Sequence, residues 1–488
     1  LVTCPDDDRA VVVDPRLGTV VGAVQVGGRP AAASVQGDTV SIGSEATASV
    51  LDVDAGGLLR AATAAGPTGD PTDPGGASTV VPAPADRRPS VLAALTPGTT
   101  AGQPMGAYQL VDNGTDRDRP PDQGGYGQPF DGRARIEPAA LAACGGEFAD
   151  FRRDDRRFSG PSAAVYEPGT KRLLVVLAST RNVAVLDCGG TRSGSAAVLG
   201  SFRVGAGSRG IALAADGRRA WVDVGYDHAV AEVDLSGDPS RFAPRDAEPR
   251  QVVRRSTTTM DLSPRAQDGR LLFPDATNPH LTPAGVVTCA SCHPSAGADG
   301  QVWFLHTAEV PRKFRRTPSA LGADPSTKPL HWDGEYHSTT DLVSDTIRNL
   351  MGGDGLLVDS STIGDYLREL RPPANRPVTT GAAAGVARGR ALFESDAVGC
   401  AWCHSGDRLT DGQAHSVVPP STDPDGVLAE VVTPALLGVR GRGPYLHDGR
   451  APTLRDVLTA ANPTDSHGHT SNLSPDQIDD LVAYLESR

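Results

Sequence analysis

Apolar positions in the first half of the chain fall in short runs that close on an acidic residue. "RAVVVDP" (9–15), "ASVLDVD" (48–54), "NVAVLDC" (182–188) and "AVAEVDL" (229–235) share this form. Similar runs, "TVSI" (39–42), "LLVVL" (173–177) and "RAWVDV" (219–224), lie upstream of three of them. Runs this short, bounded by Gly, Asp and Pro, predict strands joined by turns rather than helices. Two longer segments, 20–42 and 198–222, repeat one pattern of strand, Val-Gly, turn, small-residue strand, polar turn and strand. Residues 65–158 are rich in Pro, Gly and Asp and predict a long insertion or loop.

The pattern changes near residue 255, where two segments carry the same landmarks in the same order. The first reads "GRLLF" (269–273), Cys289-Ala-Ser-Cys292-His293, "TPSALG" (317–322), "HWDGEY" (331–336) and "IGDYLREL" (363–370). The second reads "GRALF" (389–393), Cys400-Ala-Trp-Cys403-His404, "TPALLG" (433–438), "HDGRAPTL" (447–454) and "IDDLVAYLESR" (478–488). Five landmarks in one order mark a duplicated domain. The Pro- and Ala-rich stretch 371–385 separates the copies. The expected division is therefore a β region over 1–254, a first copy over 255–380 and a second over 381–488. Ser474-Pro475-Asp476-Gln477 forms a capping-box start, after which Ile478, Leu481, Val482 and Leu485 fall on one helical face.

Cys-x-x-Cys-His is the attachment signature of a c-type haem. Two thiols at this spacing reach two vinyl groups of one porphyrin edge, and the following His turns its imidazole to the iron. A zinc site of two CxxC pairs needs about 15–20 residues between pairs, whereas Cys292 and Cys400 stand 108 positions apart. A thioredoxin-like pair or a local disulfide leaves the repeated His unexplained. The motifs predict two covalently attached haems, held by Cys289, Cys292 and His293, and by Cys400, Cys403 and His404.

The repeated β segments resemble the YVTN-type β-propeller family. The tandem motifs and their landmarks over 255–488 resemble the bacterial di-haem cytochrome c peroxidase family, which includes MauG-type proteins. The resemblance implies a multidomain chain, an all-β propeller followed by two mainly α cytochrome c-like domains. It implies a redox protein passing electrons between two haems and a partner protein, which the propeller could select. Two other roles follow from the same resemblance: a hydrogen-peroxide-reducing peroxidase or MauG-like oxidase of a protein substrate, and a propeller-based binding module with the haems as wiring. Trp332 falls where the family has the tryptophan that couples the haems. His306 is the candidate distal ligand of the first iron, with His331 as the other. His467 or His469 replaces the Met or Tyr of the family at the second, Ala461 lying near the usual ligand position. His447 and His415 read as structural residues near the haem, and His280 and His337 as surface residues.

The sequence departs from the family at two places. Leu350, in "IRNLMGG" (347–353), stands where the peroxidases carry an acid/base Glu, and Leu342 near a family Gln. Leucine transfers no proton; Glu335 and Asp345 are the nearby carboxylates. Arg316 replaces the Asn that ligates an interdomain calcium, and a guanidinium repels a cation, so calcium is not expected.

Composition narrows the partners. Of the 488 residues 22% are charged, 39% hydrophobic and 5% aromatic, with 56 Gly and 40 Pro, which suits a soluble, turn-rich globular protein. A net charge of −13 without a basic run excludes a nucleic-acid footprint. No stretch of 18 apolar residues is present to span a bilayer. The opening "LVTCPDDD" lies inside a predicted strand and reads as a processed or incomplete N-terminus. Haem attachment of this type implies a bacterial periplasmic or surface location, oxidising enough for a disulfide among Cys4, Cys144 and Cys188. Cys144–Cys188 is the expected pair.

Overall fold

The computed structural model describes, with short breaks, residues 160–236, 262–371 and 382–488, together with strands within 2–54, at 135–136 and 149–150, and at 252–256. Cys144, Cys188, His306 and most of the 65–158 insertion lie outside the described residues.

Every apolar run singled out in the first half forms a strand. Pro161–Glu167, Arg172–Leu177, Asn182–Asp187 and Ala197–Arg203 make a four-stranded antiparallel meander in chain order. Arg172–Leu177 is buried at five consecutive positions, so it is covered on both faces, as an unbroken apolar run requires. Ala229–Asp234 instead alternates buried and half-buried positions and covers one face. Val2–Cys4, Arg9–Asp14 and Thr19–Gln25 make a three-stranded sheet. In a seven-stranded sheet the small-residue strands of the two repeated segments, Pro30–Gln36 and Ser208–Leu213, pair in parallel. The repeats therefore lie side by side.

The second half is mainly helical. Helices α1 (Pro264–Leu272), α2 (Cys289–Cys292), α3 (Thr339–Asp345) and α4 (Ser360–Glu369) belong to the first copy. Helices α5 (Ala383–Phe393), α6 (Leu454–Leu458) and α7 (Pro475–Glu486) belong to the second. Ser263 caps α1 and Ser474 caps α7 through the predicted capping box, each helix having Pro in its first turn. On α7, Ile478, Leu481 and Leu485 are buried as the pattern predicts. Tyr484 is buried too, where Val482 is only partly so, because its ring packs 5.1 Å from Phe393.

The duplication is physical. A Cβ on Gly269 of α1 would lie 2.0 Å from the Thr362 carbonyl oxygen of α4, and one on Gly389 of α5 would lie 1.9 Å from that of Asp480 on α7. Both "GR-x-LF" landmarks thus mark a close helix crossing that only glycine permits. The Phe that ends each landmark packs on a Tyr of the crossing helix, Phe273 on Tyr366 at 5.5 Å and Phe393 on Tyr484. Arg270 breaks the symmetry. It is buried, its guanidinium lies 4.2 Å from the Tyr226 ring centroid and donates to the Gly225 carbonyl, and with the Arg181–Asp275 ion pair it docks the β region on the first helical copy. Its counterpart Arg390 pairs with Glu394 at the surface.

Candidate haem-binding cavity

Both CxxCH motifs open into one continuous cavity of about 590 Å³. Each motif is a short turn. Thr288 and Ser291 cap α2, and a tight turn over Cys400–Trp402 follows Gly399, whose φ of +80° needs glycine. The His N–H then bonds back to the first Cys carbonyl in both copies, His293 to Cys289 and His404 to Cys400. The four cysteines form no disulfide. Burial pushes the thiols of Cys289 and Cys400 up, to about 12 and about 11, so neither is the low-pKa nucleophile of a thioredoxin-like site.

The two histidines are held alike. His293 Nδ1 lies 3.1 Å from the Gly297 carbonyl and His404 Nδ1 3.1 Å from that of Leu409. Each ring leans on the Phe of its "GR-x-LF" landmark with centroids 6.5 Å apart. A carbonyl accepts only the N–H tautomer at Nδ1, which leaves the Nε2 lone pair for a metal. Burial favours the neutral ring, pushing His293 down to about 4 and lowering His404. Paired thiols, an oriented imidazole and a largely apolar wall, repeated twice, fit a covalently attached porphyrin.

The distal sides differ. Across from His404 stands His467, with ring centroids 6.2 Å apart. Two metal–imidazole bonds of about 2 Å and two ring radii of roughly 1.1 Å come to about 6 Å, the spacing of two rings on one metal ion. Asn462 accepts from the His467 N–H and donates to the carbonyls of His467 and Gly468, which fixes the loop. Burial pushes His467 down to about 4. His469 is exposed and lies edge-on to Trp402, itself 62% exposed, although both rings also touch the cavity wall. On the first side, His331 has a φ of +66°, shares a hydrogen bond with Glu335 at 2.9 Å and meets the Tyr336 ring edge-on at 5.0 Å. Leu342 and Leu350 line the cavity there, as do Tyr336 and Asp345.

Between the motifs the two copies meet through equivalent residues. Leu330 bridges Tyr336 and Tyr445 bridges Ala451, which sets Trp332 in one turn where His447 stands in the other. Those rings face each other edge to face at 6.4 Å. The backbone hydrogen bonds are reciprocal. Arg316 N–H donates to the His447 carbonyl at 2.7 Å, and Val432 N–H, its counterpart before the second Thr-Pro, donates to the Trp332 carbonyl at 2.9 Å. Trp332 Nε1 also donates to the Arg316 carbonyl at 2.8 Å, and the Arg316 guanidinium donates to the Arg442 carbonyl. Of the remaining histidines, His415 pairs with Asp411 on the cavity wall, His280 with Asp354 at the surface, and His337 is exposed. The reading of the sequence passed over Tyr336 and Asn462. Each is placed by hydrogen bonds that form only in the fold, so the sequence carried no signal for it.

The cytochrome c family model matches residues 386–488. Hydrazine synthase subunit gamma of Kuenenia stuttgartiensis is 31% identical over 20% of this chain and 40% of its own length. Methylamine utilization protein MauG of Methylorubrum extorquens is 30% identical over 39% of this chain and 66% of its own. The chain thus spans less than two thirds of either relative. A solved MauG-like protein associated with microbial copper homeostasis aligns over 47% of this chain and 90% of its own, at 17% identity and a TM-score of 0.37. Among the described residues no helix is long and apolar enough to cross a membrane. The matched cytochrome c domain and the likeness to MauG support a haem redox protein with covalently bound haem c.

Proposed function

We propose that the chain binds two haems c, one at Cys289, Cys292 and His293 and one at Cys400, Cys403 and His404, and moves electrons between them and a partner protein. The observation that carries this reading is the pair of equivalent motifs facing one cavity with Trp332 and His447 between them. His467 would hold the second iron together with His404, an arrangement that suits electron transfer. On the His293 side His331 is turned to Glu335 and Tyr336, and that side keeps room for a small ligand. Haem supplies the redox chemistry. The chain's residues orient the ring, exclude water and, through Trp332, couple the halves. Calcium is not expected, because Arg316 stands where the family carries its Asn ligand and a guanidinium repels a cation. The β region is a propeller that selects the partner, and the protein works in the periplasm or at the cell surface.

Absorption and EPR spectra of the purified protein, oxidised and half-reduced, test the reading. One low-spin, bis-histidine signal and one high-spin signal in at least one state are expected. Two low-spin signals in both states would leave an electron carrier with no place for a small ligand.

A further inference from the structure

We propose that Asp345 is the proton-transfer residue on the His293 side of the cavity, held in place by Tyr336 and Asn349. The inference rests on the reading that the haem at Cys289, Cys292 and His293 has an open side. Leu350 lines the cavity and can move no proton. A carboxylate stands one turn earlier. Helix α3 ends at Asp345 and the chain continues as a π-helical turn over Thr346–Leu350, closed by the Met351 N–H bonding to the Thr346 carbonyl at 2.9 Å. Such turns are rare inside helices and concentrate at functional sites. Here the turn sets both its flanking Asp345 and its last residue, Leu350, on the cavity wall.

The carboxylate is positioned from two sides. Tyr336 Oη donates to Oδ2, and Asn349 Nδ2 donates to Oδ1 at 2.6 Å. Each oxygen keeps a lone pair beyond that bond. Burial, and then the bond to Asp345, pushes the Tyr336 phenol up, so the phenol stays the donor and the carboxylate the acceptor. The competing carboxylate, Glu335, is more exposed and bonds to His331.

A hydroperoxide splits when the proton on its inner oxygen moves to the outer one, which then leaves as water. Asp345 takes that proton and returns it, ending the cycle as it began. Over the whole reaction one peroxide takes two electrons from the reduced protein and two protons from solvent and leaves as two waters.

The test uses the full haem-loaded chain and two probes, hydrogen peroxide and cyanide. Cyanide enters as the neutral acid and must give up its proton on binding, so its association reports proton acceptance without turnover. Asp345→Asn is expected to slow cyanide association and peroxide reduction about 100-fold, with haem content unchanged and Asp345→Glu recovering part of the rate. If the amide disturbs the turn and haem is lost, Tyr336→Phe carries the test, with a slowing of about tenfold expected. Parent-like rates in Asp345→Asn, or Glu335→Gln as the slow variant instead, would overturn the assignment. A parent protein that takes no cyanide, oxidised or half-reduced, would remove the open-side reading and the inference with it.

Discussion

His467 and His469 are two positions apart in one loop, yet only one ring stands opposite the His404 ring. Sequence names both equally; in the fold His467 faces His404 and His469 lies against Trp402, with Gly468 at φ +79° between them. His467→Ala is expected to turn the second iron from low-spin to high-spin and open it to cyanide, with His469→Ala leaving the spectrum unchanged; EPR of the two variants reads the difference. At this scale the sequence was legible wherever chemistry fixed the residue type, as at the six CxxCH positions. It was silent where a residue works through packing or a single hydrogen bond. Tyr336 and Tyr484 were missed for that reason: one is selected by a carboxylate nine residues away, the other by the face of Phe393.

Among the elements, the glycines of α1 and α5 invert an ordinary expectation. Gly→Ala inside a helix stabilises by up to about 1 kcal/mol where the side chain meets solvent. Gly389→Ala places a methyl group on the α7 backbone and is expected to cost about 1–3 kcal/mol or more, read as a lower urea midpoint with an unchanged slope. The landmarks "GRLLF" and "GRALF" were visible in the sequence, and so was the duplication they mark. Their reason was not, since a helix crossing is a relation between segments about 90 residues apart. The apolar runs of the β region told strands correctly because run length and turn residues are local. How the meanders are arranged is a long-range matter, and only the parallel pairing of the two repeats fixes part of it.

Over the whole molecule, the β region is fastened to the first helical copy in part by Arg270, whose counterpart in the second copy is also an arginine. Arg270 and Arg390 share a sequence context and differ in burial. Arg270→Ala removes a hydrogen bond and a cation–π contact and is expected to cost about 1–3 kcal/mol. Arg390→Ala, at the surface, should stay within about 0.5 kcal/mol. Denaturation followed separately by haem absorbance and by β-sheet circular dichroism distinguishes them, and only Arg270→Ala should pull the two transitions apart.

The reciprocal bonds of Arg316 and Val432 across the Trp332–His447 pair are the pattern of an isologous contact, in which two copies of one surface meet about a twofold axis. The chain is in this sense a homodimer joined end to end, with Trp332 and His447 at the axis. The mates at the axis, Trp332 and His447, already differ. The mates around it differ as well, Tyr336 standing against Ala451 and Glu335 against Arg450. The twofold is thus kept by the backbone and broken by the side chains, so the two halves are free to take different tasks.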